Sequence, residues 1–235
     1  AISHAFNEYI SENGIEGGYT KEGNALFLNI KGVSAHAMEP DNGTNAGYHL
    51  ASFLHSVELD ARGTSYVGFI SKKLAFDSRG KKLNINFHDE ITDDLTINTG
   101  VFRFDREASV GSLGVNIRFP VTCDTKEAEA KLRKEAEAYG FDVNKFNVSP
   151  AHHVPQDHEL IQSLQKVYEE QTGEKAELLS IGGGTYARSL EAGVAFGPLF
   201  PGREDVAHQK DEHIFIEDLI KATAIYAHAI YELAK

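Results

Sequence analysis

The stretch LTINTGVFRFDREASVGSLGVNIRFPVT, residues 95–122, decides the fold. Two runs in it, LTINTGVFRFD and SLGVNIRFPVT, are rich in β-branched and aromatic residues and read as strands. The polar stretch from Arg106 to Ser109 joins them, so the pair reads as an antiparallel hairpin. Upstream, ALFLNIKGV (25–33) alternates like another half-buried strand, and PDNGT (40–44) is turn material. NAGYHLASFLHSVEL, from Asn45, has helical spacing, with Asn45 where an N-cap belongs. Residues 60–93 show no clear period, although Gly80, Lys81 and Lys82 mark a surface turn. The opening AISHAFNEYISENG reads as a helix with Ile2, Ala5, Phe6, Tyr9 and Ile10 on one face and Gly14 as its stop.

Downstream of the hairpin, DTKEAEAKLRKEAEAYG (124–140) is a charged surface helix. Asp124 with Glu127 has the capping-box pattern, and Gly140 ends the helix. FDVNKFNVS (141–149) reads as one more strand. Residues 1–149 are therefore expected to form an α/β sandwich with mostly antiparallel strands. The character changes at SPAHHVP (149–155). A helix at DHELIQSLQKVYEEQTG, a strand at AELLSI, a second at GVAFGPL and a long C-terminal helix then alternate. That helix places Ile216, Leu219, Ile220, Ala227, Ile230 and Leu233 roughly on one stripe. Alternating strands and helices imply a parallel or mixed sheet. Such a sheet needs both faces covered, so 150–235 reads as part of a domain rather than a whole one.

Composition narrows the function classes. The chain has 235 residues, enough for two domains, and 41% of them are apolar. A net charge of −12 argues against a nucleic-acid backbone or an anionic membrane surface as partner. No apolar run has the length of a membrane span. One cysteine, Cys123, permits no internal disulfide, which fits a reducing, cytoplasmic setting. The chain opens inside a helix, and its only methionine is Met38. It therefore reads as a piece of something longer.

Four places carry candidate chemistry. His36, in GVSAHAMEPDNGTNA, lies just past a strand end: a loop histidine or a functional one. Arg118, in NIRFP, sits inside an apolar strand, either snorkelling at an edge or aimed at an anion. His208, in EDVAHQKDEHI, stands beside carboxylates ahead of the last helix, a solvated loop histidine or a metal ligand. The glycine loop SIGGGTYAR (180–188) could hold a phosphate, hold a carboxylate or simply turn. It lacks the Lys-Ser/Thr ending of a phosphate loop and the spacing of a dinucleotide loop.

In combination, GVSAHAMEPDNGTNA, NIRFP, IGGGTYAR, GVAFGPLFPGREDVAHQKDE and AIYAHAIYELAK resemble the M20 metallopeptidases. The resemblance is strongest to the PepV-type dipeptidases, also called Xaa-His or beta-Ala-Xaa dipeptidases. It covers essentially all 235 residues but only the second half of such an enzyme. It implies that 1–149 is a lid domain and that 150–235 is the returning end of a zinc-peptidase catalytic domain. The motifs of the family's first half are not found: H-x-D, a bridging Asp, a Glu-Glu pair with the general base, and a further carboxylate.

What the resemblance implies for single residues follows. His208 matches the last metal ligand, and the complete enzyme would hold two Zn2+, with Mn2+ or Co2+ as alternatives. His36 matches the lid histidine that donates to the oxyanion of the tetrahedral intermediate. Arg118 matches the position that binds the substrate's terminal carboxylate. Gly183, Gly184 and Thr185 match a loop that lets backbone approach the substrate, and Arg188 lies near the same place. The implied partners are a dipeptide and the missing N-terminal half of the catalytic domain. A monomer is among the forms expected of the complete enzyme. With one ligand in a site that needs three per metal, the chain is expected to be inactive alone. The other function class is a lid-bearing assembly module without hydrolytic activity.

Overall fold

A computed structural model describes the chain except for Ala1, residues 36–38, Ser109, Pro150, Gly182, His208 and Gln209. It has a mixed α/β fold and divides into two compact units, Ala1–Ala151 and His152–Lys235.

The first unit begins with helix α1 (Ile2–Glu12). Its Phe6 is fully buried, edge-on to Phe53 at 4.9 Å, and the chain turns out of the helix at Gly14, where φ is 63°. Strands β1 (Glu16–Glu22) and β2 (Ala25–Lys31) pair antiparallel from Glu16↔Lys31 to Glu22↔Ala25. Gly23, at φ 59°, supplies the positive first central residue of their two-residue turn. β2 turns Leu26, Leu28 and Ile30 toward the protein in the expected alternation. β1 escaped the sequence reading because EGGYTKE has no apolar alternation of its own; it is a strand because β2 pairs with it.

Helix α2 (Ala46–Leu54) is capped by Asn45, whose side chain accepts from the Gly47 and Tyr48 N–H groups. Helix α3 (Ala61–Phe69) is capped by Asp60 and runs into a π-turn over Ile70–Leu74. The miniature strands β3 (His88–Asp89) and β4 (Asp93–Asp94) follow. Strands β5 (Thr96–Asp105) and β6 (Val110–Arg118) form the expected hairpin. A bulge between Thr99 and Val101 shifts its register. Ile97 and Thr99 are buried before the bulge, and Phe102 is the residue that turns inward after it. Helix α4 (Thr125–Glu137) is capped by Asp124 and buries Ala128, Leu132 and Ala136 on the core of α2, α3 and the hairpin. All strand pairs among the described residues are antiparallel.

Residues 141–149 form no strand. Phe141, Val143 and Phe146 do pack on the core. The backbone, however, finds no strand to pair with: Val143 O is taken by the Arg133 side chain at 2.6 Å.

The second unit is built on helices α5 (Glu159–Thr172) and α6 (Ile216–Ala234). Gly173, at φ 73°, ends α5 as expected. The segments expected as strands, 176–181 and 193–199, carry no strand pairing. The second lies on α6 through side chains instead, with Tyr226 Oη donating to Phe196 O at 2.7 Å. The apolar stripe read on α6 is not the face that packs against α5. The helix buries Asp218, Ala222, Ile225 and Ala229, where small side chains let α5 approach through Leu164 and Val167. Ile216, Leu219, Ile220, Ile230 and Leu233 stay exposed, as do Leu178, Leu179 and Ile181. Apolar surface of this extent favours association. The chain by itself is expected to bind an apolar fluorescent dye and to self-associate. Dye titration and sedimentation check this; a dye-silent monomer would contradict it.

Candidate functional site

Of the six residues expected to bind substrate or act catalytically, five are described, and they divide between the units. His36 and the expected metal ligand His208 lie outside the described residues.

In the first unit, Arg118 is the last residue of β6, opposite Thr96 of β5. Its neighbours Val115, Ile117 and Phe119 pack against the core, whereas Asn116 and Arg118 are exposed. The period of two therefore turns the guanidinium outward. It has no hydrogen-bond or ion-pair partner among the described residues. An exposed Arg on a strand end is open to a bidentate anion such as a carboxylate.

The motif residues on either side of His36 build a defined frame. Val33 and Thr44 form an antiparallel bridge, and Asn45 caps α2. A cavity of about 280 Å3 opens beside Thr44 and Asn45, walled by Tyr48, His49, Phe76 and Asp77. Burial pushes the His49 imidazole below its ordinary value, so it favours the neutral form. Phe76, at φ 58°, lies edge-on to His49 with ring centroids 4.9 Å apart.

In the second unit the glycine loop leads into a 3₁₀ turn, Tyr186–Ser189, which Thr185 caps by accepting from Ala187 N at 3.2 Å. A Cβ on Gly184 would lie 2.7 Å from Arg188 Nη1, so the absent side chain lets the guanidinium lie over the loop. The structure thus brings Gly184, Thr185 and Arg188 together; a Cβ on Gly183 would meet nothing within 4 Å. The segment leading to His208 is tied down by Arg203. Its Nε donates to Asp218 Oδ2 at 2.7 Å and its Nη2 to Asp218 Oδ1 at 3.0 Å. Nη2 also pairs with Glu217, and the guanidinium lies 4.3 Å from the Phe215 ring centre. Hydrogen bonds to Asp218 and Glu217 raise its pKa further, so it stays a cation. Asp205 Oδ1 accepts from Ala207 N, directly before His208. The sequence quoted Arg203 within its motif but held no signal for this clamp, because Asp218 sits on another element.

Among the described residues, no three His, Cys, Asp or Glu side chains converge to hold a metal ion. No described helix is long and apolar enough to cross a membrane.

The family model described as Peptidase family M20/M25/M40 matches residues 7–232. A Bacillus subtilis (strain 168) protein named Putative dipeptidase YtjP is 51% identical over 234 residues, which is 100% of this chain and 50% of that protein. A Staphylococcus aureus (strain USA300) protein, also named a Putative dipeptidase, is 38% identical over 228 residues, 97% of this chain and 48% of its own length. The chain spans about half the length of the curated relatives it matches.

Proposed function

The chain belongs to peptidase family M20/M25/M40, and from that premise we propose that it is the C-terminal half of a PepV-type, zinc-dependent dipeptidase. Residues 1–149 are the lid over the substrate, and 150–235 are the returning end of the catalytic domain. The substrate is a dipeptide with a free C-terminal carboxylate, and the reaction is hydrolysis of its peptide bond. His208 would help hold the metal, which when bound would supply an activated water and polarise the scissile carbonyl. His208 is the one ligand this chain contributes, so the chain alone is inactive.

The observation that carries the reading is the outward guanidinium of Arg118, without a partner among the described residues, on a strand end whose neighbours are anchored in the core. The relatives' dipeptidase names support the same substrate class. Arg118 binds the terminal carboxylate through its fork, and His36 donates to the oxyanion that develops at the scissile carbonyl. Gly183, Gly184 and Thr185 let backbone approach the substrate, with Arg188 beside them.

The test compares a free dipeptide with its C-terminal amide in the full-length protein. A charged hydrogen bond of this kind is worth about 1.5–3 kcal/mol. Arg118→Ala is therefore expected to lower kcat/KM for the free acid by roughly one to two decades. The amide should be hydrolysed about as before. Arg118→Lys keeps the charge but loses the fork, and should recover only part of the loss. A mutant that keeps the full preference for the free acid would move the carboxylate site elsewhere, with Arg188 as the next candidate.

A further inference from the structure

Residues 34–43, which include His36, are flanked by a bridged pair, Val33 and Thr44. Val33 N donates to Thr44 O at 3.0 Å, and Thr44 N donates to Val33 O at 2.9 Å. Two glycines permit this approach. A Cβ on Gly32 would lie 2.5 Å from Thr44 O, and one on Gly43 would lie 2.6 Å from Val33 O. Both obstacles are backbone atoms, so no rotamer change would relieve them.

The next residue, Asn45, uses its whole amide. Oδ1 accepts from Gly47 N at 3.0 Å and Tyr48 N at 3.4 Å, which caps α2. Nδ2 donates to Thr99 O at 2.8 Å and to Asn98 Oδ1 at 3.1 Å, which fastens the same residue to β5. Serine and aspartate cap a helix about as well as asparagine. Neither carries an amide NH2 that could reach β5 while its oxygen caps, so the cap alone does not account for asparagine.

The fastening point is itself held. Thr99 is buried beside the β5 bulge; its N–H donates to Tyr48 Oη at 2.9 Å, and Tyr48 O–H donates to Thr99 Oγ1 at 3.1 Å. Bulges re-aim the strand that carries them. β5 pairs with β6, and Thr96 of β5 stands opposite Arg118. One side chain thus joins the end of the His36 segment to the hairpin that ends at Arg118.

We propose that Asn45 is a positioning residue, which fastens the His36 segment to β5 and so sets its place relative to the Arg118 end of the hairpin. The inference rests on the peptidase reading of His36 and Arg118. In that reading the two residues engage the same small substrate. A displacement of about 1 Å at such a site can cost on the order of 10²-fold in rate.

The experiment uses the full-length protein with a free dipeptide. Asn45→Ser keeps the cap and removes the link to β5. It is expected to lower kcat by about 10- to 100-fold with KM little changed, and, because Thr99 O loses its donor, to lower the thermal midpoint by a few degrees. In a His36→Ala background the same substitution should cost nothing more, because Asn45 acts through that segment. Amide exchange at Val33 and Thr44 should quicken in Asn45→Ser. Gly43→Ala, which pushes the pinned pair apart from the other side, should reproduce the kcat-selective loss and serves if Asn45→Ser does not fold. Parent-like kcat in Asn45→Ser, alongside a crippled His36→Ala, overturns the inference and leaves the peptidase reading standing. An equal loss in both backgrounds also overturns it, since Asn45 then acts independently of His36. An unimpaired His36→Ala overturns the reading of His36 and the inference with it.

Discussion

On the dipeptidase reading, His36→Ala in the full-length protein is expected to lower kcat by about 10²–10³-fold and to leave metal content unchanged. The argument is one of timing. A scissile carbonyl oxygen gains full charge only as the tetrahedral intermediate forms, so a donor aimed at that point stabilises the transition state more than the ground state. The loss should therefore fall on kcat, with KM little altered. The residues that flank the segment are held in place. Val33 and Thr44 are joined by two backbone hydrogen bonds, and Asn45 ties the segment's end to both α2 and β5. Turnover and metal analysis on one preparation decide the matter. Loss of metal together with loss of turnover would make His36 a ligand and reverse the assignment.

The second large effect is on stability. Asp89 is buried and accepts five hydrogen bonds. Its Oδ1 takes Ile91 N at 3.0 Å, Thr92 N at 2.6 Å and Thr92 Oγ1 at 3.0 Å. Its Oδ2 takes Thr122 N at 3.0 Å and Thr122 Oγ1 at 2.9 Å. One carboxylate thus ties the β3–β4 turn to the segment that follows β6. Burial alone would raise its pKa; the hydrogen bonds from Thr92 and Thr122 outweigh that and hold it well below the usual carboxylate range. Asp89→Ala leaves buried donors without partners and is expected to cost about 3–4 kcal/mol. That corresponds to a fall of roughly 10 °C in the unfolding midpoint.

The same carboxylate makes stability depend on pH. Its folded pKa lies below the unfolded value of about 3.9, so the folded state binds fewer protons in the window between the two. The stabilisation is complete above the unfolded value and is lost as pH falls toward the folded one. Glu135 adds in the same direction, its pKa lowered chiefly by the hydrogen bond from Lys73. Unfolding midpoints should drop between about pH 5 and pH 2, and Asp89→Asn should drop less steeply from a lower starting point. Equal slopes in the two proteins would remove Asp89 as a source of the acid sensitivity.

Much of this architecture was legible in the sequence because it is made by neighbours. The caps at Asn45 and Asp124, the stops at Gly14 and Gly173 and the alternation of Val115, Ile117 and Phe119 each involve residues a few positions apart. The motifs that carry the family resemblance are equally local, and the family assignment agrees with them. Asn45 was legible only in part: its cap was evident, but its bond to Thr99 O, 54 residues away, was not. Asp89 offered no signal at all, since Thr122 lies 33 residues on.

By itself, then, the sequence determined the family, the β5–β6 hairpin and the helices other than α3, which lies where no period could be read. Only the tertiary structure decided which apolar segments become strands and which helix face is buried. FDVNKFNVS, AELLSI and GVAFGPL have the composition of strands, but a strand exists only where a second one offers its backbone, and among the described residues none does. Helix α6 has apolar residues on more than one side. α5 packs on Ala222, Ile225 and Ala229, while the bulkier stripe of Ile216, Leu219 and Ile220 stays exposed. Periodicity can mark an apolar face, but the element that packs against it selects which face is buried, because small side chains let two helices come close.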